Sequence, residues 1–240
     1  MHILRAEDLK KSYHGREVVH GLSIFVSTGE IVGLLGPSGA GKTTTFYMIV
    51  GLIKPDGGSI SLNEEDIARL PMYKRALKGI SYLPQEPSIF RKLTVRDNLR
   101  AVLEIRGCAA SEMDDKIERL LDEFNLLDFA DRQAYRLSGG ERRRAEIARA
   151  IATDPTFILF DEPFAGIDPI AIIELKKMLR YLKEKGLGIL VTDHNVRDTL
   201  SITDRAYIIS SGGILDEGAP DKLIANPRVK ETYLGKEFRL

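Results

Sequence analysis

The segment Gly36-Pro37-Ser38-Gly39-Ala40-Gly41-Lys42-Thr43-Thr44 constrains this chain more than any other, because it satisfies G-x-x-x-x-G-K-[ST] in the context where that pattern has a mechanism. It follows the apolar run Ile31 to Leu35, which suits a strand buried on both faces of a parallel sheet, and it leads into a segment of helical length near 43–52. Glycine lets a backbone wrap closely around an anion with its N–H groups turned inward. The helix that follows adds its positive N-terminal end. In such a cradle Lys42 is expected to reach the β- and γ-phosphates of a nucleotide, and the Thr43 hydroxyl to take one position on Mg²⁺.

A second run, Phe157-Ile158-Leu159-Phe160, ends in Asp161-Glu162. Ligands of open parallel sheets collect at the carboxyl ends of such strands. Asp161 is therefore expected to hold Mg²⁺, directly or through water, and Glu162 to accept a proton from a water attacking the γ-phosphate. Taken alone, an Asp-Glu pair after a strand is a common acidic turn. Its pairing with the phosphate loop gives it a task.

A third apolar run, Ile189 to Thr192, and helix-length segments near 94–106, 111–124, 140–153 and 170–185 complete a strand–helix alternation. Residues 3–27 differ: Val18-Val19 and Leu22-Ser23-Ile24-Phe25-Val26 alternate around a His14-Gly15 turn, which predicts an antiparallel layer. From about 87 to 154 only helical segments are found. The expectation is an α/β chain folding as one unit over 1–240, with a mostly parallel sheet, an N-terminal antiparallel layer and an inserted α-helical subdomain. Its nucleotide-binding core would comprise 1–86 and 155–240, and the helical insert 87–154.

Composition excludes several classes. Lysine plus arginine number 35 against 35 aspartate plus glutamate, so no net field draws the chain to nucleic acid. Cys108 is the single cysteine and has no disulfide partner, which suits a reducing compartment. No apolar run approaches the roughly 18 residues a spanning helix needs, and Met1-His2-Ile3-Leu4-Arg5-Ala6-Glu7-Asp8 turns acidic too early for a secretory signal, so a cytoplasmic location is expected. His2, His14 and His20 have no metal-like spacing and are expected on the surface. Arg142-Arg143-Arg144 reads as the solvated first turn of a helix whose apolar face is Ala145, Ile147, Ala148 and Ile151. Cations there oppose the helix dipole, so Glu141, Glu146 or a neighbouring subunit should offset them.

Leu137-Ser138-Gly139-Gly140-Glu141, upstream of the second buried strand, resembles the signature of the ATP-binding-cassette ATPases, which most phosphate-loop proteins lack. The resemblance covers essentially the whole chain. It implies the P-loop fold of that family, ATP as ligand with Mg²⁺, and further site residues. Tyr13 would stack on adenine, though strand tyrosines often simply pack. Gln85 would coordinate metal or water, though it is also readable as a surface amide between Pro84 and Pro87. His194 would contact the γ-phosphate, and Asp168 would lie in a loop crossing a dimer interface. Ser138 with the N–H groups of Gly139 and Gly140 would form an anion site at a helix N-terminus. In this family two cassettes dock head to tail, so each signature closes over the other chain's ATP. Two membrane subunits would dock in a groove that includes Ser88-Ile89-Phe90-Arg91-Lys92-Leu93, near Phe90 and Arg91. Nucleic acid and direct contact with the transported substrate are not expected.

Within the family, Thr44-Thr45-Phe46-Tyr47-Met48, Tyr82 to Arg91, Asp161 to Gly166, Thr192 to Arg197 and the tail Tyr233 to Leu240 look most like the cytoplasmic ATPases of lipopolysaccharide exporters. Ser38 stands where many relatives carry Asn, a position that contributes mainly backbone. Residues 106–136 carry no distinctive match, so the insert says little about the partner. Branched-chain amino-acid importers share the same engine, and soluble iron–sulfur-cluster assembly cassettes remain a reading from another class. DNA-repair cassettes are disfavoured, because the long coiled coil they carry before the signature is absent.

Overall fold

The structure, a computed structural model, describes residues 1–235 and 238. The chain divides into two compact units, one formed by Met1–Tyr82 with the segment from Thr156 onward, the other by Leu83–Pro155.

The first unit holds two sheets. The antiparallel one begins with β1 (Ile3–Tyr13) and β2 (Arg16–Ser27), joined at the His14-Gly15 turn as the alternation predicts. Val19, Leu22, Ile24 and Val26 point inward from β2, while Phe25 is exposed. The second sheet contains β3 (Ile31–Leu35), which follows β2 and leads through the phosphate loop into α1 (Lys42–Val50). Next come β4 (Gly57–Leu62) and the short β5 (Glu65–Asp66), which complete the antiparallel sheet in the order β2-β1-β4-β5. Then follow α2 (Met72–Leu77) and β6 (Ile80–Leu83).

The second unit carries α3 (Val95–Ile105), α4 (Ala110–Glu123) and α5 (Gly139–Ile151). Back in the first unit are β7 (Phe157–Asp161), α6 (Pro169–Glu184), β8 (Gly188–Thr192), α7 (Val196–Leu200), β9 (Arg205–Ser210) and β10 (Gly213–Gly218). The large sheet runs β10-β9-β3-β8-β7-β6, with β3, β7, β8 and β9 mutually parallel and β10 antiparallel at its edge.

The apolar runs read from the sequence are strands buried on both faces. All five residues of β3, β7 and β8 are buried. Val32 and Leu34 of β3, with Tyr207 and Ile209 of β9, join a core that also holds Phe46, Met48 and Ile49 of α1 and Leu22 and Ile24 of β2. Leu35, Ala206 and Ile208 face the opposite way, against Leu200, Leu223 and Val229. The phosphate-loop helix is thus packed inside the main core. Its far end is fixed by Arg75 of α2, which is 1% exposed. That guanidinium donates to the carbonyls of Met48 (2.7 Å), Ile49 (2.6 Å), Leu70 (2.8 Å) and Ala68 (3.0 Å). A cation suits the negative end of a helix and satisfies carbonyls that lack intrahelical donors. Burial lowers its pKa to about 10, so it stays charged at neutral pH.

In the second unit, α5 begins with a capping box: the Ser138 hydroxyl accepts from the Glu141 N–H at 3.3 Å, and Glu141 accepts from the Ser138 N–H at 2.7 Å. The Arg142–Arg144 turn is not solvated as expected; all three residues are half-buried. For Arg143 the reason is Glu146, only 3% exposed, which accepts from Arg143 at 3.2 Å and from the Ser88 N–H at 2.9 Å. A buried carboxylate on the helix draws the arginine inward, and Glu146 is one of the partners anticipated for this turn. His2, His14 and His20 are exposed. Among the described residues no helix is long and apolar enough to cross a membrane.

Candidate functional site

The phosphate loop closes at the carboxyl end of β3 because three glycines take positive φ: Gly36 (152°), Gly39 (75°) and Gly41 (102°). At Gly36 a Cβ would sit 2.1 Å from the Ile209 carbonyl oxygen of β9, so only glycine lets the loop turn there. Around Gly39 no atom lies within 4 Å of an added Cβ. Gly36→Ala is therefore expected to destabilise the fold by more than about 2 kcal/mol, and Gly39→Ala by only about 1 kcal/mol, from φ alone. Equal urea-unfolding midpoints for the two variants would contradict this.

Gly41 is the N-cap of α1 and no side chain caps it, so the first-turn N–H groups of Lys42, Thr43 and Thr44 have no carbonyl of their own helix to pair with. Pro37 is half-buried, Ser38, Gly39 and Thr43 are exposed, and Ala40 is buried, its carbonyl accepting from the Gly212 N–H at 2.9 Å. Lys42, 5% exposed, curls back over the loop, its Nζ donating to the Gly36 carbonyl (2.7 Å) and the Pro37 carbonyl (2.9 Å). Burial lowers its pKa, and the negative charge of Glu162 opposes that shift.

Asp161 and Glu162 follow at the end of β7. Asp161 is 5% exposed, and burial raises its pKa against the hydrogen bonds of Tyr47 and Tyr82. The Tyr82 hydroxyl donates to its Oδ2 at 3.3 Å. Glu162 has φ of 45°, an uncommon conformation for a non-glycine residue, and its N–H donates to the Thr192 carbonyl at 2.7 Å. His194, just beyond β8, brings Nε2 to 2.7 Å from Glu162 Oε1. The side chains differ in access: Glu162 is 17% exposed and His194 56%.

Asp193 braces the two loops that carry this pair. It is 1% exposed and accepts from the Phe164 N–H and the Asn195 N–H, each at 2.7 Å, so one carboxylate ties the loop after β7 to the loop after β8. Burial raises its pKa, opposed by those two bonds. The C-terminal turn adds Tyr233, whose phenol is pushed up to about 12 by burial, opposed by its hydrogen bond to the Gly36 backbone. Asp193, Tyr47 and Tyr82 escaped the sequence reading as site residues. A polar residue ending an apolar strand was the available signal for Asp193; the tyrosines gave none.

The first unit thus gathers Gly36 to Thr44, Asp161, Glu162 and His194 at the carboxyl ends of the neighbouring strands β3, β8 and β7. Tyr13 closes β1 and is 40% exposed. Asp168 caps α6, its Oδ1 accepting from the N–H groups of Ile170 and Ala171 at 3.0 Å each. Gln85, Ser138, Gly139 and Gly140 belong to the second unit. Gln85 and Ser138 are exposed, and an added Cβ at Gly139 meets nothing within 4 Å. Ile89 is buried, whereas Phe90 is 46% exposed with the Arg149 guanidinium 4.7 Å from its ring centroid. Of the expected Ile-Phe pair, only Phe90 is exposed. Its backbone is held by Asn98, which is fully buried, accepts from the Phe90 N–H at 2.9 Å and donates to the Phe90 carbonyl at 3.1 Å.

A phosphate loop, an acidic strand end with a histidine-held glutamate, and a second glycine-led helix terminus define an ATP-binding cassette. The chain belongs to the ABC transporter family, whose model matches residues 19–165. It is an ATPase of the kind that couples hydrolysis to transport. Among curated proteins it is similar to the lipopolysaccharide export system ATP-binding protein LptB of Escherichia coli K12, 53% identical over 241 residues and covering 100% of both chains. It is 54% identical over 241 residues to the protein of that name from Haemophilus influenzae, again covering 100% of both. Among solved structures it resembles the ADP conformation of an ATP-binding cassette of an ABC transporter, with TM-score 0.87 and 29% identity, covering 98% of this chain and 100% of that one. A nucleotide-free ATP-binding cassette gives TM-score 0.85 at 29% identity and the same coverage.

Proposed function

We propose that this chain powers lipopolysaccharide extraction: as a homodimer closed around two Mg·ATP, it drives export through two membrane subunits, working as a peripheral protein on the inner face of the cytoplasmic membrane. Full-length identity above one half to lipopolysaccharide export ATPases is the observation that carries this reading over an importer or a soluble assembly cassette.

In the chemistry, the loop N–H groups and Lys42 hold the β- and γ-phosphates. Oxygen donors suited to Mg²⁺ are the Thr43 hydroxyl, exposed in the first helical turn, and the Asp161 carboxylate; the Gln85 amide is the further ligand that the family resemblance implies. When bound, Mg²⁺ would neutralise charge on the phosphates. Glu162 accepts the proton of the attacking water, and His194, already bonded to that carboxylate, orients it and then meets the γ-phosphate. Tyr13 stacks on adenine. Ser138, Gly139 and Gly140 complete the site of a second copy: the hydroxyl oxygen is engaged in the capping box with the Glu141 N–H, which leaves the Ser138 O–H and the N–H groups of Gly139 and Gly140 to donate to a γ-phosphate. Asp168 lies in the loop that crosses the dimer.

Phe90, exposed on a pinned backbone beside Arg91, is read as the contact for a membrane subunit. Phe90→Ala is expected to leave the ATPase rate of the isolated chain within about twofold and to weaken co-purification of the membrane subunits. Equal recovery of those subunits would remove Phe90 from the interface. Pull-down from solubilised membranes tests the reading as a whole: partners with large extracytoplasmic domains are expected, and many-helix permeases or soluble proteins would contradict it.

A further inference from the structure

Lys11 and Tyr13 lie two residues apart on β1, and the Lys11 ammonium stands over the Tyr13 ring, 5.5 Å from its centroid. Three contacts hold the loop before β4 against this strand end. Lys11 Nζ donates to Asp56 Oδ1 at 2.7 Å, Asp56 Oδ2 accepts from the Ser12 N–H at 2.8 Å, and the Asp56 N–H donates to the Lys10 carbonyl at 2.9 Å. Lys11 also donates to the Lys54 carbonyl at 2.9 Å, and its side chain is only 15% exposed. Lys11 and the Ser12 N–H hold the Asp56 carboxyl below its ordinary range, so the pair stays ionised at neutral pH. A flexible lysine is thereby fixed, while the ring it covers remains 40% exposed beside the open His14-Gly15 turn.

We propose that Lys11, clamped by Asp56 and the Lys54 carbonyl, is a positioning residue for the nucleobase: it occupies one face of the Tyr13 ring and presets that ring as the platform on which the base stacks. The proposal rests on the reading of Tyr13 as the base-stacking residue. A ring at a hairpin end otherwise loses rotamer freedom on binding, and a cation already seated on it removes much of that cost. The effect is confined to the base, because the contacts Lys11 makes, to Asp56, the Lys54 carbonyl and the Tyr13 ring, all lie at this strand end.

The test compares binding of Mg·ATP with binding of Mg·tripolyphosphate, which has no base, to the full-length chain by calorimetry. Lys11→Met is expected to weaken ATP about fivefold and leave tripolyphosphate unchanged, with KM for ATP rising and kcat constant. Lys11→Arg should keep the parental ratio. Asp56→Asn, which loosens the clamp without removing the cation, should shift the ratio in the same direction by less, and serves if Lys11→Met does not fold. Equal weakening of both ligands, or of neither, overturns the proposal. Tyr13→Ala separates the two levels: it should weaken ATP at least about tenfold relative to tripolyphosphate. If it does and Lys11→Met does not, Lys11 alone is wrong; if it does not, the platform itself is wrong.

Discussion

Replacing Glu162 with glutamine is expected to lower steady-state turnover by about 10²–10⁴ while ATP stays bound. The substitution is nearly isosteric, and the amide oxygen still accepts from His194 at the position now 2.7 Å from Nε2. The backbone bond from the Glu162 N–H to the Thr192 carbonyl is untouched, so the turn with φ of 45° is retained. What disappears is a group able to take a proton from water. With nucleotide affinity assigned to the loop and Lys42 in this proposal, calorimetry should return a dissociation constant close to the parent's. Unchanged phosphate release would take Glu162 out of the reaction and leave its closeness to His194 a structural detail.

Lys42→Ala should act on the other quantity, lowering ATP affinity by about a hundredfold, which corresponds to one charge-assisted contact of about 3 kcal/mol. The side chain is nearly buried and already spans the loop through the Gly36 and Pro37 carbonyls. Its loss strips the site of a cation and leaves two carbonyls without that donor. Calorimetric binding equal to the parent's would contradict the placement of phosphates in this loop. The two variants together separate binding from chemistry.

Much of this site was legible because its strands are buried on both faces. Runs such as Ile31 to Leu35 and Phe157 to Phe160 have no polar face to blur them, and the residues that follow them are the ones proposed to meet ligand. β4, by contrast, carries Gly57-Gly58-Ser59 and buries only Ile60 completely, so its period is weak. Contacts between distant segments were out of reach of periodicity. Nothing in the order of residues says that His194 meets Glu162, that Asp193 braces both loops, or that Asp56 fixes Lys11. The Arg142–Arg144 turn misled for the same reason: a helical wheel does not reveal that Glu146 is buried and draws Arg143 inward. The tail likeness is only partly open to comparison, since Lys236, Glu237, Arg239 and Leu240 lie outside the described residues.

The central claim is that one chain carries two incomplete halves, a phosphate cradle in one unit and a glycine-led helix end in the other, and that a second copy completes both. Sedimentation of the Glu162→Gln chain saturated with Mg·ATP tests it most directly. The account predicts a dimer that reverts to single chains when nucleotide is removed; single chains at saturating Mg·ATP would contradict it.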